Sequence, residues 1–300
     1  MKSLAWLLGG LIVLSARGVA DPLPPPTIIF SRPLPTANLN NVGTQRSNYA
    51  FTEFDPNNPF AFEKFDGDDF TLNTSNNAYI VQSISTWSVA STPGQALGVE
   101  FASVSLYMRP VYVDPITHAR SPLAPFSIVA TGAPNQNFQS DGVTVGNSNP
   151  NITHTNVHYA DGENYESVNS PGTFYPLWQN TFSNLNLVLA SGVTYEFAVW
   201  GLGHPQTEDP NTMYGYWFNE YSNAGSSGNA QDGSDNFFLS FDANNLDAVS
   251  SYVNAQQAGL GPKPVDLNVQ IVGIGVPEPT TFGLLGIGLI ALGYFSRKRR

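Results

Sequence analysis

Three carboxylates stand within four residues at Asp66, Asp68 and Asp69, beside Gly67. Like charges this close repel unless a cation or a set of N–H groups compensates them. Calcium takes six to eight oxygens at about 2.4 Å, and loop carboxylates are suitable donors. In extended chain Asp66 and Asp68 face one way and Asp69 the other, so convergence on one ion requires a turn at Gly67. The spacing of an EF-hand loop and its distal Glu are missing. Asp232 and Asp235, in the run DGSDN ahead of an apolar alternation, are a second candidate. At both places the preferred reading is turn carboxylates accepting hydrogen bonds from local backbone N–H groups. Structural calcium is the alternative, and no other cofactor is expected.

His154 and His158 have the i, i+4 spacing that chelates metal on a helix, but their setting, NITHTNVHY, is β-branched and alternating. In a strand, four steps of about 3.3 Å put the rings about 13 Å apart, too far to share one ion. Aromatic residues crowd at 214–221, YGYWFNEY. Alternation sets Tyr214, Tyr216 and Phe218 on one face and Trp217 and Tyr221 on the other. One face is expected in a core; the other is either packed too or a platform on which a sugar ring stacks. Glycoside hydrolysis needs two carboxylates about 5–9 Å apart. Glu196 and Glu220 lie near aromatics, but no E-x-D-x-x-E strand motif accompanies them, and no G-x-S-x-G provides a serine nucleophile. The chain is expected not to be an enzyme.

The elements that must position these groups are strands. Val104, Leu106 and Met108 alternate with polar residues, as do Leu185, Leu187 and Leu189. Ser191-Gly192 then turns the chain into Val193, Tyr195, Phe197 and Val199, which reads as a hairpin. Further strands are expected over 79–89, 126–130, 237–241 and 265–271, and an edge strand over 27–30. Only 244–258 admits a short helix. The stretches 134–172 and 201–234 read as loops. Many short strands without α/β alternation predict an all-β fold, a single antiparallel, jelly-roll-like β-sandwich. The expected organisation is a signal peptide over 1–20, a Pro-rich tether over 21–48, the sandwich ectodomain over 49–275 and an anchor segment over 276–300.

Residues 21–276 hold six basic residues against 22 acidic ones, a net of −16. That charge argues against nucleic acid and acidic polysaccharide as bulk electrostatic partners. There is no cysteine, which removes thiol catalysis, Cys-based zinc sites and disulfides. A domain of this size builds a core without them.

Both ends carry apolar runs. Residues 4–14 form a short one behind Lys2, and Gly18-Val19-Ala20 supplies the small residues that signal peptidase inspects, with cleavage after Ala20. Residues 280–296 are uncharged and mostly apolar, about 26 Å of helix, the short end of what a bilayer accepts. Arg297, Lys298, Arg299 and Arg300 follow and are expected to hold that end in the cytoplasm. The string GIGLIA at 286–291 imitates a dinucleotide fingerprint but lacks the surrounding βαβ unit.

Pro277, Glu278 and Pro279, the Gly- and Leu-rich span and the closing basic cluster together resemble the PEP-CTERM sorting domain. The resemblance implies recognition by exosortase, an integral-membrane cysteine-dependent protease or transpeptidase. It also implies a Gram-negative bacterium that makes exopolysaccharide and, with it, biofilm. FDGDDFTLN (65–73) and LASGVTYEFAVWG (189–201) look like the β-sandwich ectodomains often attached to this signal. The expected protein is an exported envelope or extracellular-matrix component with a non-enzymatic role. It is held transiently in the inner membrane with its body in the periplasm, then released to the cell surface or matrix. A carbohydrate-binding module is the alternative, and a secreted hydrolase a third.

Overall fold

The structure, a computed structural model, describes residues 23–34, 47–50, 52–53, 65–90, 101–117, 119–132, 134–136, 149–160, 162–166, 171–203, 218–221, 238–240, 251–252 and 267–276. These residues are β-rich and contain no helix. The strands are β1 (Thr27–Arg32), β2 (Ser47–Ala50), β3 (Thr52–Glu53), β4 (Phe65–Thr71), β5 (Ala78–Ala90) and β6 (Phe101–Val113). Next come β7 (Arg120–Pro122), β8 (Ser127–Gly132), β9 (Pro134–Gln136), β10 (Asn149–Val157), β11 (Tyr165–Glu166), β12 (Phe174–Tyr175) and β13 (Leu177–Phe182). The last are β14 (Leu187–Ala190), β15 (Thr194–Gly203), β16 (Phe218–Tyr221), β17 (Phe238–Ser240), β18 (Ser251–Tyr252) and β19 (Val269–Val276).

Two sheets carry the fold. The first runs β1-β19-β5-β13-β10-β9, with β14 and β16 also on β5 and β2 on β16; the second runs β18-β17-β4-β15-β6-β7, with β3 on β15 and β8 on β6. Pairing is antiparallel except at β9/β10 and β3/β15. One apolar cluster draws on both sheets: Tyr79, Val81, Ile84, Phe182 and Ile271 from the first, and Phe70, Leu106, Met108, Phe197 and Val199 from the second. Strict alternation produces this. Leu106, Met108, Phe197 and Val199 are opposite partners on one face, so one period-2 pattern buries them together.

The longest strand, β5, is the spine of the first sheet. Its register slips by one residue opposite Val272 and Gly273 of β19, which lets Val81 and Ile84 both point inward. On its other edge β14 and β13 continue one pairing, interrupted by residues 183–186. Asn184 and Asn186 take left-handed φ of 55° and 52° there, a conformation that asparagine tolerates.

Several expectations are corrected. The run joined by Ser191-Gly192 is not a hairpin: β14 pairs with β5 in the first sheet and β15 with β4 and β6 in the second. Alternation and a turn dipeptide mark a reversal, but they do not say which sheet receives the second strand. Ser191 N donates to Asn77 O at 3.2 Å and Gly192 N, at φ 70°, to Leu72 O at 3.0 Å, so the turn is pinned to the neighbouring connection. The supposed loop 134–172 contains β10, whose inward residues include His154, and 201–234 contains β16. In the one stretch that admitted a short helix, Ser251 and Tyr252 pair with β17; the remainder of 244–258 lies outside the described residues. The edge strand expected over 27–30 within the Pro-rich stretch is β1, at the edge of the first sheet.

Candidate functional site

The acidic run FDGDDFT is strand β4, between β17 and β15. Gly67 is no turn: it pairs with Ala198 and Phe238 in mid-strand. Asp68 and Asp69 therefore point to opposite faces, and the convergence on one ion that calcium would require at Asp66, Asp68 and Asp69 is absent. Asp66 pairs with Leu239 along the backbone.

Each of the two buried carboxylates meets an arginine instead. Asp68, on the inner face, lies with Oδ2 3.2 Å from Nη1 of Arg32. It also accepts from the Asp69 amide at 2.7 Å and from the Leu267 amide at 2.6 Å. Arg32 donates from Nη2 to the carbonyl of Asp69 at 2.7 Å, and Asn268 Nδ2 donates to the carbonyls of Arg32 at 2.9 Å and Pro33 at 2.6 Å. These bonds tie β1, β4 and the approach to β19 together across the two sheets.

On the other face, Asp69, Glu196 and Arg109 are successive register partners on β4, β15 and β6. Arg109 Nε donates to Glu196 Oε2 at 2.6 Å. Arg120 reaches over from β7, pairing Nη2 with Asp69 Oδ2 and placing Nη1 3.5 Å from Glu196 Oε1. The Arg109 guanidinium lies 4.1 Å above the ring centre of Phe126, a cation–π contact. Two carboxylates and two guanidiniums thus close a neutral, buried quartet. A general acid or base must reach its substrate; Glu196, with 0 % exposure, faces only its cationic partners. Three of the six cations in residues 21–276 are spent inside the fold.

A second polar group lies on the inner face of the first sheet. Arg32, Val269, Thr86, Asn180 and His154 are successive partners on β1, β19, β5, β13 and β10, and all five are buried. His154 Nδ1 and Asn180 Oδ1 are 2.6 Å apart, and Asn180 Nδ2 donates to Ser88 Oγ at 3.1 Å. The His154 ring stacks on Trp178, centroids 4.3 Å apart and planes 8° from parallel. His158 is exposed just beyond β10, so the strand separates the two imidazoles. Two residues along the strands the same face is apolar, with Ile271, Ile84, Phe182 and Ile152.

Two phenols are also perturbed. Burial pushes the pKa of Tyr195 above its ordinary value of 10.0, partly offset by the Ala190 amide that donates to its oxygen at 2.9 Å. Burial likewise raises Tyr107, partly offset by its bond with Ser105.

Sequence reasoning weighed Asp68 and Asp69 as loop ligands and missed Arg32 and Arg120 as their partners, and Arg109 as the partner of Glu196. Local pattern gives little sign of them: Arg109 falls in the polar phase of its strand, with Ser103, Ser105 and Tyr107. Of the aromatic run, Phe218 to Tyr221 lie on β16, which pairs with β5 and β2. Tyr214, Tyr216, Trp217, Asp232, Asp235, Ala20 and residues 277–300 lie outside the described residues.

Strand β19 ends at Val276, paired with Ala78, and the sequence continues at once into Pro277. Residues 275–300 match the family model of the PEP-CTERM protein-sorting motif. No curated protein and no solved structure matches the chain. The chain thus carries a PEP-CTERM protein-sorting motif, a signal that implies export and sorting by exosortase, and the motif begins on the last two residues of a paired strand.

Proposed function

We propose that the chain is a non-enzymatic surface or matrix protein. Its body is a jelly-roll-like β-sandwich, delivered to the periplasm, held briefly by residues 280–296 and released by processing at Pro277 to Pro279. The released body remains in the envelope or in the extracellular polymer, beside exopolysaccharide. The observation that carries this reading is the sorting motif following directly on β19. The closed quartet around Glu196 supports a non-catalytic body, because both oxygens of this buried carboxylate face guanidiniums, Oε2 bonded by Arg109 and Oε1 3.5 Å from Arg120. Calcium remains a proposal for Asp232 and Asp235 alone.

The test is the secreted protein isolated from its host, incubated with the host's own polysaccharide with and without a chelator. No retention on any glycan supports the structural role. Retention that is lost on Trp217→Ala moves the reading to a carbohydrate-binding module with 214–221 as its platform. Reducing-end release that disappears in Glu220→Gln would make the protein a hydrolase.

A further inference from the structure

We infer that one end of the sandwich is a membrane-resting surface, built to lie on the lipid headgroups while the sorting segment is inserted. The inference rests on the proposed anchoring through residues 280–296. It adds which part of the body meets the bilayer and what chemistry fits that part to it.

Tether length is the first argument. Val276 is fixed in the sheet by its pairing with Ala78, and only Pro277, Glu278 and Pro279 separate it from the apolar run. Three residues reach at most about 10 Å. The headgroup layer on one side of a bilayer is itself about 6 Å deep. The end of β19 therefore sits within or directly upon the headgroups, together with whatever surrounds it.

What surrounds it is fixed by register. Ala78 also pairs with Ala190, and the connections at this end are residues 73–77 and the turn Ser191-Gly192, tied together by the bond from Ser191 N to Asn77 O. Thr27 pairs with Gly273, bringing in the lead-in residues 23–26. Segments 23–31, 71–81, 186–194 and 271–276 contain no Asp, Glu, Lys, Arg or His. In a body of net charge −16 these are the uncharged segments nearest the end of β19; from the second sheet, the β6–β7 connection beyond Val111, the partner of Thr194, adds a single acidic residue, Asp114. An acidic end would be repelled by anionic lipid over about a Debye length. The opposite end, at the start of β13 and beyond β10, carries Glu163 and Glu166.

Apolar exposure is the third argument. Val188, Ile80 and Ile274 are register partners on the outward face of β14, β5 and β19. Val188 is 70 % exposed, and Ile28 and Leu23, at the same end, are 58 % and 57 % exposed. Apolar side chains grouped beside an uncharged rim suit the boundary between headgroups and acyl chains.

The chain has no cysteine, so single labels are clean. The full chain carrying Val188→Cys, Asn77→Cys or Glu163→Cys is labelled with an environment-sensitive fluorophore and reconstituted into vesicles of phosphatidylethanolamine and phosphatidylglycerol. A quencher is attached at the lipid headgroup. Labels at 188 and 77 are expected to be quenched severalfold more than the label at 163. Co-flotation with vesicles but equal quenching at all three positions overturns the resting surface and leaves the anchor standing. Failure of Arg297–Arg300 to gain protection from added protease, with no co-flotation, overturns the anchor and the surface together.

Discussion

Removing the Glu196 carboxylate leaves Arg109 and Arg120 buried with one counter-charge, Asp69, between them. An uncompensated buried charge costs about 3–5 kcal/mol, so Glu196→Ala should lower the unfolding free energy by about that amount in urea titrations. Replacing the pair together, Glu196→Leu with Arg109→Met, should cost clearly less than the two single changes added, because no charge is then stranded. Additive losses would show that the bonds between these side chains contribute little. Tyr107 and Tyr195 make a second residue-scale prediction. Both phenols ionise at higher pH folded than unfolded, so their contribution is complete below pH 10 and is lost as pH rises through the raised folded values. Denaturation midpoints should fall above about pH 10, and the fall should flatten in the double variant Tyr107→Phe, Tyr195→Phe.

Strand β19 shows why elements depend on single backbone positions. A Cβ at Gly273 would stand 2.8 Å from the Ile80 carbonyl oxygen and 2.9 Å from Ile29 Cδ1, so backbone would have to move. Gly273→Ala should therefore destabilise by about 1–3 kcal/mol, read as a lowered thermal midpoint with an unchanged β-type circular dichroism spectrum. An unchanged midpoint would contradict the close approach. The same strand explains what the sequence reveals and what it hides. Val269 and Ile271 alternate cleanly and are legible as a strand, as are Leu106 with Met108 and Phe197 with Val199, because their inward positions are all apolar. Strand β10 is only half legible: its β-branched alternation reads as extended chain, but its inward His154 is held by Asn180 and Trp178, partners about two dozen residues away in sequence. Asp68 and Asp69 mislead for the same reason: their cations come from Arg32 and Arg120, which no local spacing connects to them. The sorting motif is legible because its chemistry is local, needing only two prolines, a glutamate, an apolar run and a basic end in order.

At the scale of the whole molecule, an acidic body and a basic tail sit on either side of 17 uncharged, mostly apolar residues, 280–296. The three buried arginines and their carboxylates cancel, so the −16 of residues 21–276 falls on the groups outside those pairs, which favours solubility and keeps copies apart. The most direct test of export and sorting is the intact mass of the protein from its native host, compared with a strain lacking exosortase. The account expects a wild-type species ending near Pro277–Pro279 and missing residues 280–300, and an exosortase-deficient species that retains them in the membrane fraction. A wild-type protein that keeps Arg300, in the same fraction and amount in both strains, would contradict it.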